Sequence, residues 1–146
     1  MKSTTQSPLA ANWRAFRDRF LLCSAFEQIE VFRTGVSAGH LRGLAESLNV
    51  PQAVVFRLVG LSASVAKRRI ALDAHLSMTV GERLLGIGAI EKQALAVFGC
   101  SEQALAWLKT SNIGLGGVSP LSLLDTGIGT QEVARILSAI GHGGVA

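Results

Sequence analysis

Apolar residues return at helical spacing along nearly the whole chain, and glycine, proline and hydroxyl side chains mark where each run stops. From Leu9 to about Thr34 the recurring positions are Trp13, Phe16, Phe20, Leu21, Cys23, Ile29 and Phe32. Gly35 closes this run, and a break is expected around Cys23 to Phe26. Residues 1–8 are polar, end in Pro8 and read as a loose leader. Ser37 suits the N-cap of the next helix, whose inner face is Leu41, Leu44, Ala45 and Leu48. Asn49 ends that helix, and Pro51 starts another where its missing N–H costs nothing.

Within PQAVVFRLVGLSASVAKRRI, Val54, Val55, Leu58 and Val59 line one short helix. Gly60-Leu61-Ser62 makes a tight turn in which glycine takes the left-handed conformation and Ser62 caps the next helix. That second helix runs from Ala63 to about Leu72, with Val65, Ala66 and Ile70 inward and Ser64, Lys67, Arg68 and Arg69 outward. This is the shape of a helix-turn-helix. Thr79-Val-Gly-Glu82 reads as a capping box opening a helix to about Phe98, in which Gly86 and Gly88 are expected to permit close packing. Gly99 stops it, and Ser101 caps a short helix with Ala104, Leu105, Trp107 and Leu108 on its apolar face. LGGVSPLSLLDTGIG, residues 115–129, comes next: a glycine turn, a proline-started helical turn, an Asp125-Thr126 stop and two more glycines. The last helix is expected from Thr130 to Ile140, with Gly141 as its C-cap and a short tail beyond. The fold class is therefore all-α.

Charge changes the picture. Residues 1–78 hold ten Lys/Arg against five Asp/Glu, whereas residues 79–146 hold four against five. A basic first half beside a near-neutral second half implies an anionic partner for one and a shape-fitted partner for the other. The longest clean apolar run in the second half, Leu84 to Ile90, is far short of the roughly 20 residues a spanning helix needs, so no membrane partner is expected. The N-terminus lacks the apolar centre of a secretory signal, and Cys23 and Cys100 have no metal spacing, which suits a cytoplasmic location.

Catalytic chemistry finds little support. Leu115-Gly116-Gly117 lacks the Lys-Ser/Thr ending of a phosphate loop, and Gly127-Ile128-Gly129 lacks a third glycine and a βαβ setting. His40, His75 and His142 are far apart, so no metal site and no cofactor is expected. Asp125 and Glu132 are the only carboxylates near the glycine-rich stretch, and Asp125-Thr126 reads as a helix end. The helix-turn-helix has two readings. In one, Lys67, Arg68 and Arg69, with Arg57, neutralise phosphates while Ser64 reaches a base edge. In the other it is a tri-helical packing unit with a solvated basic end.

The order Val97-Phe98-Gly99, Ala104-Leu105-Ala106-Trp107-Leu108, Asn112, Leu115-Gly116-Gly117, Ser119-Pro120-Leu121, Leu124-Asp125-Thr126, Gly129 and Glu132-Val133 closely resembles the C-terminal toxin-binding domain of Xre/MbcA/ParS-type antitoxins. With the preceding helix-turn-helix, the resemblance covers roughly residues 35–146. What it covers divides into an Xre-like helix-turn-helix domain (35–78) and a toxin-binding domain (79–146), and the N-terminal leader and helical segment (1–34) lies outside it. The resemblance implies a non-enzymatic type II antitoxin whose partner is a RES-domain toxin that consumes NAD, and whose C-terminal region obstructs that toxin's active site. The toxin-facing set would be Leu115, Gly116, Gly117 and Pro120, with the tail Gly141, His142, Gly143, Gly144, Val145 and Ala146. The DNA-facing set would be Ser64, Lys67, Arg68 and Arg69, binding the operator as a homodimer. The rival reading is a plain transcription regulator whose C-terminal domain only dimerises.

Overall fold

A computed structural model describes residues 7–143. Among them the chain is all-α, with β-type pairing confined to two isolated bridges. The helices are α1 (Pro8–Leu22), α2 (Ala25–Thr34), α3 (Gly39–Leu48), α4 (Gln52–Val59), α5 (Ala63–Ala71), α6 (Met78–Phe98), α7 (Ser101–Lys109) and α8 (Gly127–Gly141). Two 3-10 turns, Ile113–Leu115 and Pro120–Leu123, lie between α7 and α8. The chain forms two compact units, Met1–Glu82 and Arg83–Ala146, and their boundary falls inside α6. Among the described residues no single helix is long and apolar enough to cross a membrane.

In the first unit, Ser7 caps α1 by accepting from the Ala10 amide at 3.0 Å, with Pro8 at the first helical position. α1 packs along α3, and the close approach depends on Gly43. A Cβ there would stand 2.7 Å from both the Leu9 carbonyl oxygen and the Trp13 Cβ. Trp13 is fully buried, as are Leu41, Leu44, Val55 and Ala66. The helical segment after Pro8 is thus part of this unit's core. Cys23 and Ser24 make the break between α1 and α2, and Ser24 and Glu27 form a reciprocal capping box that starts α2.

A short antiparallel contact fixes where α5 ends. The Ala38 amide donates to the Ala74 carbonyl at 2.9 Å, and the Leu76 amide donates to the Val36 carbonyl at 2.7 Å, around the bridge Ser37–His75. Gly35, at φ +104°, takes the left-handed side of φ space, and a Cβ on it would meet the His75 Cβ at 2.6 Å. His40 stacks on Phe16 with ring centroids 4.3 Å apart, beside Trp13. Burial, and secondarily the positive charge of Arg19, lowers its pKa.

In the second unit, the buried face of α6 (Leu84, Leu85, Ile87, Ile90, Ala94) shares a core with Ala104 and Leu108 of α7, Leu121 and Leu124, and Val133, Ile136 and Leu137 of α8. Gln93 ties α6 to α8 by donating to the Ala134 carbonyl at 3.0 Å and to the Ser138 hydroxyl at 3.3 Å.

Several local expectations give way to longer-range packing. Ser37 does not cap α3: the N-cap position is Ala38, without a side-chain bond, because Ser37 is engaged in the bridge to His75. The hydroxyl at the start of α6 is that of Ser77, which accepts from the Val80 amide at 3.3 Å, so the cap expected at Thr79 stands two residues earlier. Pro51 occupies the N-cap of α4, one position before the helix, and Cys100 rather than Ser101 occupies that of α7. Val65 is exposed rather than inward, since Ala66 alone on α5 is fully buried. Gly86 has open space where a Cβ would stand, so close packing does not require it. Trp107 is half-buried, with its ring 5.7 Å from that of Phe98. α8 starts three residues earlier than expected, because Thr126 is its cap rather than the end of the preceding turn.

Candidate functional site

Two surfaces carry the residues singled out from the sequence, one in each unit. In the first, Gly60 at φ +82° turns the chain between α4 and α5, and the Leu61 amide donates back to the Phe56 carbonyl at 2.9 Å. Ser62 then caps α5, accepting from the Val65 amide at 3.3 Å, with its hydroxyl 3.4 Å from that of Ser64. Ser64, Lys67, Arg68 and Arg69 are all exposed, as is Arg57 on α4. α5 contains no acidic residue, and none of its three cations forms an ion pair among the described residues. Arg68 and Arg69 flank a hollow of about 390 Å³ whose apolar lining comes from Val65, Leu72 and Ala74. The structure thus brings the four expected side chains onto one helix, as an open cationic face with an exposed valine in its first turn.

In the second unit the organising residue is Asn112. Its side-chain oxygen accepts from the Gly114 amide at 2.8 Å, and its carbonyl accepts from Leu115 at 3.0 Å and Gly117 at 2.9 Å. Its own amide donates to the Val118 carbonyl at 3.0 Å, closing the loop. Gly116 and Gly117 have φ of +77° and +85°, so this path needs glycine twice in succession. Both are exposed and Leu115 is half-buried. Pro120 is buried at the start of its 3-10 turn, which Ser119 caps through the Ser122 amide. Ile113, which hydrophobic periodicity gave no reason to single out, is 96% exposed, and Ile128 on the first turn of α8 is 82% exposed. The Asn-X-Gly signature of an Asx turn at Asn112 was the available signal for the loop.

The start of α8 is fixed by Thr126, which accepts from the Gly129 amide at 2.9 Å. Its end is fixed by His142, whose Nδ1 lies 2.7 Å from the Ser138 carbonyl oxygen. Gly141 is therefore the last helical residue and His142 the cap, both exposed together with Gly143. Gly144, Val145 and Ala146 lie outside the described residues. Glu132 is held by Arg135 through two hydrogen bonds of 3.1 and 2.7 Å, and the bonded guanidinium keeps its carboxyl below the usual range. That carboxylate is an ion-pair partner on an exposed helix face, unsuited to supplying a proton near neutrality.

Residues 93–143 match the family described as the antitoxin Xre/MbcA/ParS C-terminal toxin-binding domain. Over 132 residues the chain is 31% identical to the Prs ADP-ribosylating antitoxin of a Sphingobium species, covering 84% of this chain and 83% of that protein. The chain belongs to the Xre/MbcA/ParS antitoxin family. Antitoxin Xre of Yersinia enterocolitica is 27% identical over 116 residues, covering 79% of this chain and 78% of its own length. Antitoxin Xre of Pseudomonas putida is 34% identical over 77 residues, covering 53% of this chain and 48% of its own. The similarity to the Sphingobium antitoxin is longer than the second unit, so it reaches into the first and is not confined to the toxin-binding domain. The Asn112 loop, both 3-10 turns and α8 fall within the matched domain.

Proposed function

We propose that this antitoxin neutralises a RES-type, NAD-consuming toxin by covering its active site, and that it represses its own operon as a homodimer through α5. The observation that carries the reading is the match of residues 93–143 to a toxin-binding domain. The name of the Sphingobium relative refers to ADP-ribosylation, a reaction that consumes NAD, which supports a toxin of that chemistry. The mechanism is steric. Leu115, Gly116 and Gly117 belong to a loop held by its own backbone hydrogen bonds, and such a surface docks without first being ordered. Pro120, being buried, contributes by shaping the adjacent turn. The C-terminal tail from Gly141 supplies the remainder of the cover. In this reading the protein has no catalytic role of its own and acts in the cytoplasm beside its target.

The DNA arm is supported by the cations of α5, which form no ion pair among the described residues, by the turn at Gly60 that sets α5 against α4, and by the exposure of Ser64 near the helix N-terminus, where a recognition helix meets base edges. A twofold-symmetric dimer would present two such helices to two half-sites.

Expression of the protein encoded by the neighbouring open reading frame, alone and together with this chain, tests the neutralisation. Growth arrest that this chain relieves is the expected result. A neighbouring product that is harmless, or whose toxicity this chain leaves unchanged, would overturn it.

A further inference from the structure

The segment Ile113-Gly114-Leu115-Gly116-Gly117-Val118 has no polar side chain at any of its six positions, yet it lies at the surface. Exposed loops ordinarily carry polar side chains. Ile113 is 96% exposed and Val118 41%. Gly116 and Gly117 have nothing within 4 Å of where a Cβ would stand, so no crowding demands their smallness. Their positive φ values demand it, and the absence of side chains leaves the apolar ones unscreened. A single exposed isoleucine is ordinary. Three further facts set this one apart. Its loop is held internally by the amides of Asn112, Gly114, Leu115, Gly116 and Gly117, each hydrogen-bonded within the loop. From Thr110 to Gln131 the chain carries one charged side chain, Asp125. The loop also lies inside the segment that matches a toxin-binding domain.

We propose that the loop Ile113–Val118 is a preformed apolar knob, with the exposed side chain of Ile113 as its anchor, that seats in a dry apolar socket on the toxin. This rests on the toxin-neutralising reading above and gives that contact its chemistry. A rigid backbone loses little conformational freedom on docking, and the internally satisfied amides need no new partners when water leaves. A contact made by aliphatic side chains in neutral surroundings has little Coulombic content, so it is insensitive to salt. The cationic face of α5 would behave in the opposite way.

The test is titration of the purified product of the neighbouring reading frame with the full-length chain and its variants, read by calorimetry. Ile113→Ala is expected to weaken binding about 30-fold and Ile113→Asp at least about 100-fold, as for the anchor of an interface. Affinity of the unaltered chain is expected to change less than about threefold between low and high salt. Unchanged thermal melting of both variants excludes a folding defect, since the substituted side chain makes almost no intramolecular contact. If the unaltered chain binds and Ile113→Asp binds within about twofold of it, the knob is refuted while the antitoxin reading stands. The knob is equally refuted if Ile113→Asp alters self-association and leaves toxin binding intact. If the unaltered chain does not bind at all, both readings fail together.

Discussion

The carbonyl oxygen of Leu123 occupies the space where a Cβ on Gly129 would stand. No side chain fits there without moving backbone, because the 3-10 turn that ends at Leu123 and the first turn of α8 meet at this point. The absence of a side chain at position 129 is therefore what lets Thr126 cap α8 directly after the turn.

Gly129→Ala should destabilise the second unit by about 2 kcal/mol or more, the usual scale for forcing atoms into filled space. Urea unfolding of the full chain measures it. A loss below about 0.5 kcal/mol would contradict the steric account.

The fit of Gly129 against Leu123 is a contact that no local pattern announces. The helices, by contrast, are legible because their signals are local: Gly35 after α2, Asn49 after α3, and Gly60 and Ser62 around the turn before α5; the exception is the start of α1, where Ser7 and Pro8, expected in a loose leader, are the cap and the first helical residue. Where local signals fail, longer-range pairing and packing override them. Ser37 looks like a cap, yet its backbone pairs with His75, 38 positions away. Val65 looks inward by periodicity, but α5 buries only Ala66, whereas the shorter α4 buries Val55, Phe56, Leu58 and Val59. The cationic residues of α5 were readable because exposure is the default for charge. Ile113 was not, because an exposed isoleucine contradicts the rule by which apolar residues are sorted.

Arg68→Ala with Arg69→Ala should weaken binding to the operon's promoter and reduce the slope of log affinity against log salt by about two, one for each lost phosphate contact. Both side chains are exposed and unpaired among the described residues, so the fold should be unaffected. Gel-shift titrations at several salt concentrations read both quantities. An unchanged slope would exclude α5 from the phosphate contact.

His40 should make the first unit sensitive to mild acid. Its pKa is lowered by burial against Phe16 and Trp13 and then by Arg19, so the unfolded chain takes up this proton before the folded one does. Stability is therefore full above the ordinary histidine value of about 6.5 and declines as pH falls through it, until the folded protein is protonated too. Between about pH 7.5 and about pH 5.5, the unaltered protein should lose more stability than His40→Phe, which keeps the ring stack without the titration. Parallel losses in the two proteins would show that His40 does not carry the effect.

A chain ended after His142 should melt like the full-length protein, because the contact of Nδ1 with the Ser138 carbonyl and the helix cap are both retained. It should protect cells less well against the toxin, since the proposed cover extends past His142. Removal from Gly141 onward would confound the two, as the α8 cap would be lost along with the tail. Full protection by the chain ended at His142 would assign neutralisation to the Asn112 loop and its surroundings alone.

The most direct test of steric neutralisation is the rate at which the purified product of the neighbouring gene consumes NAD, measured while this chain is added in increasing amounts. Cover of the active site predicts that consumption stops at a fixed stoichiometric ratio, and that excess NAD does not readily restore it. NAD consumption that continues at saturating amounts of this chain would contradict the central claim.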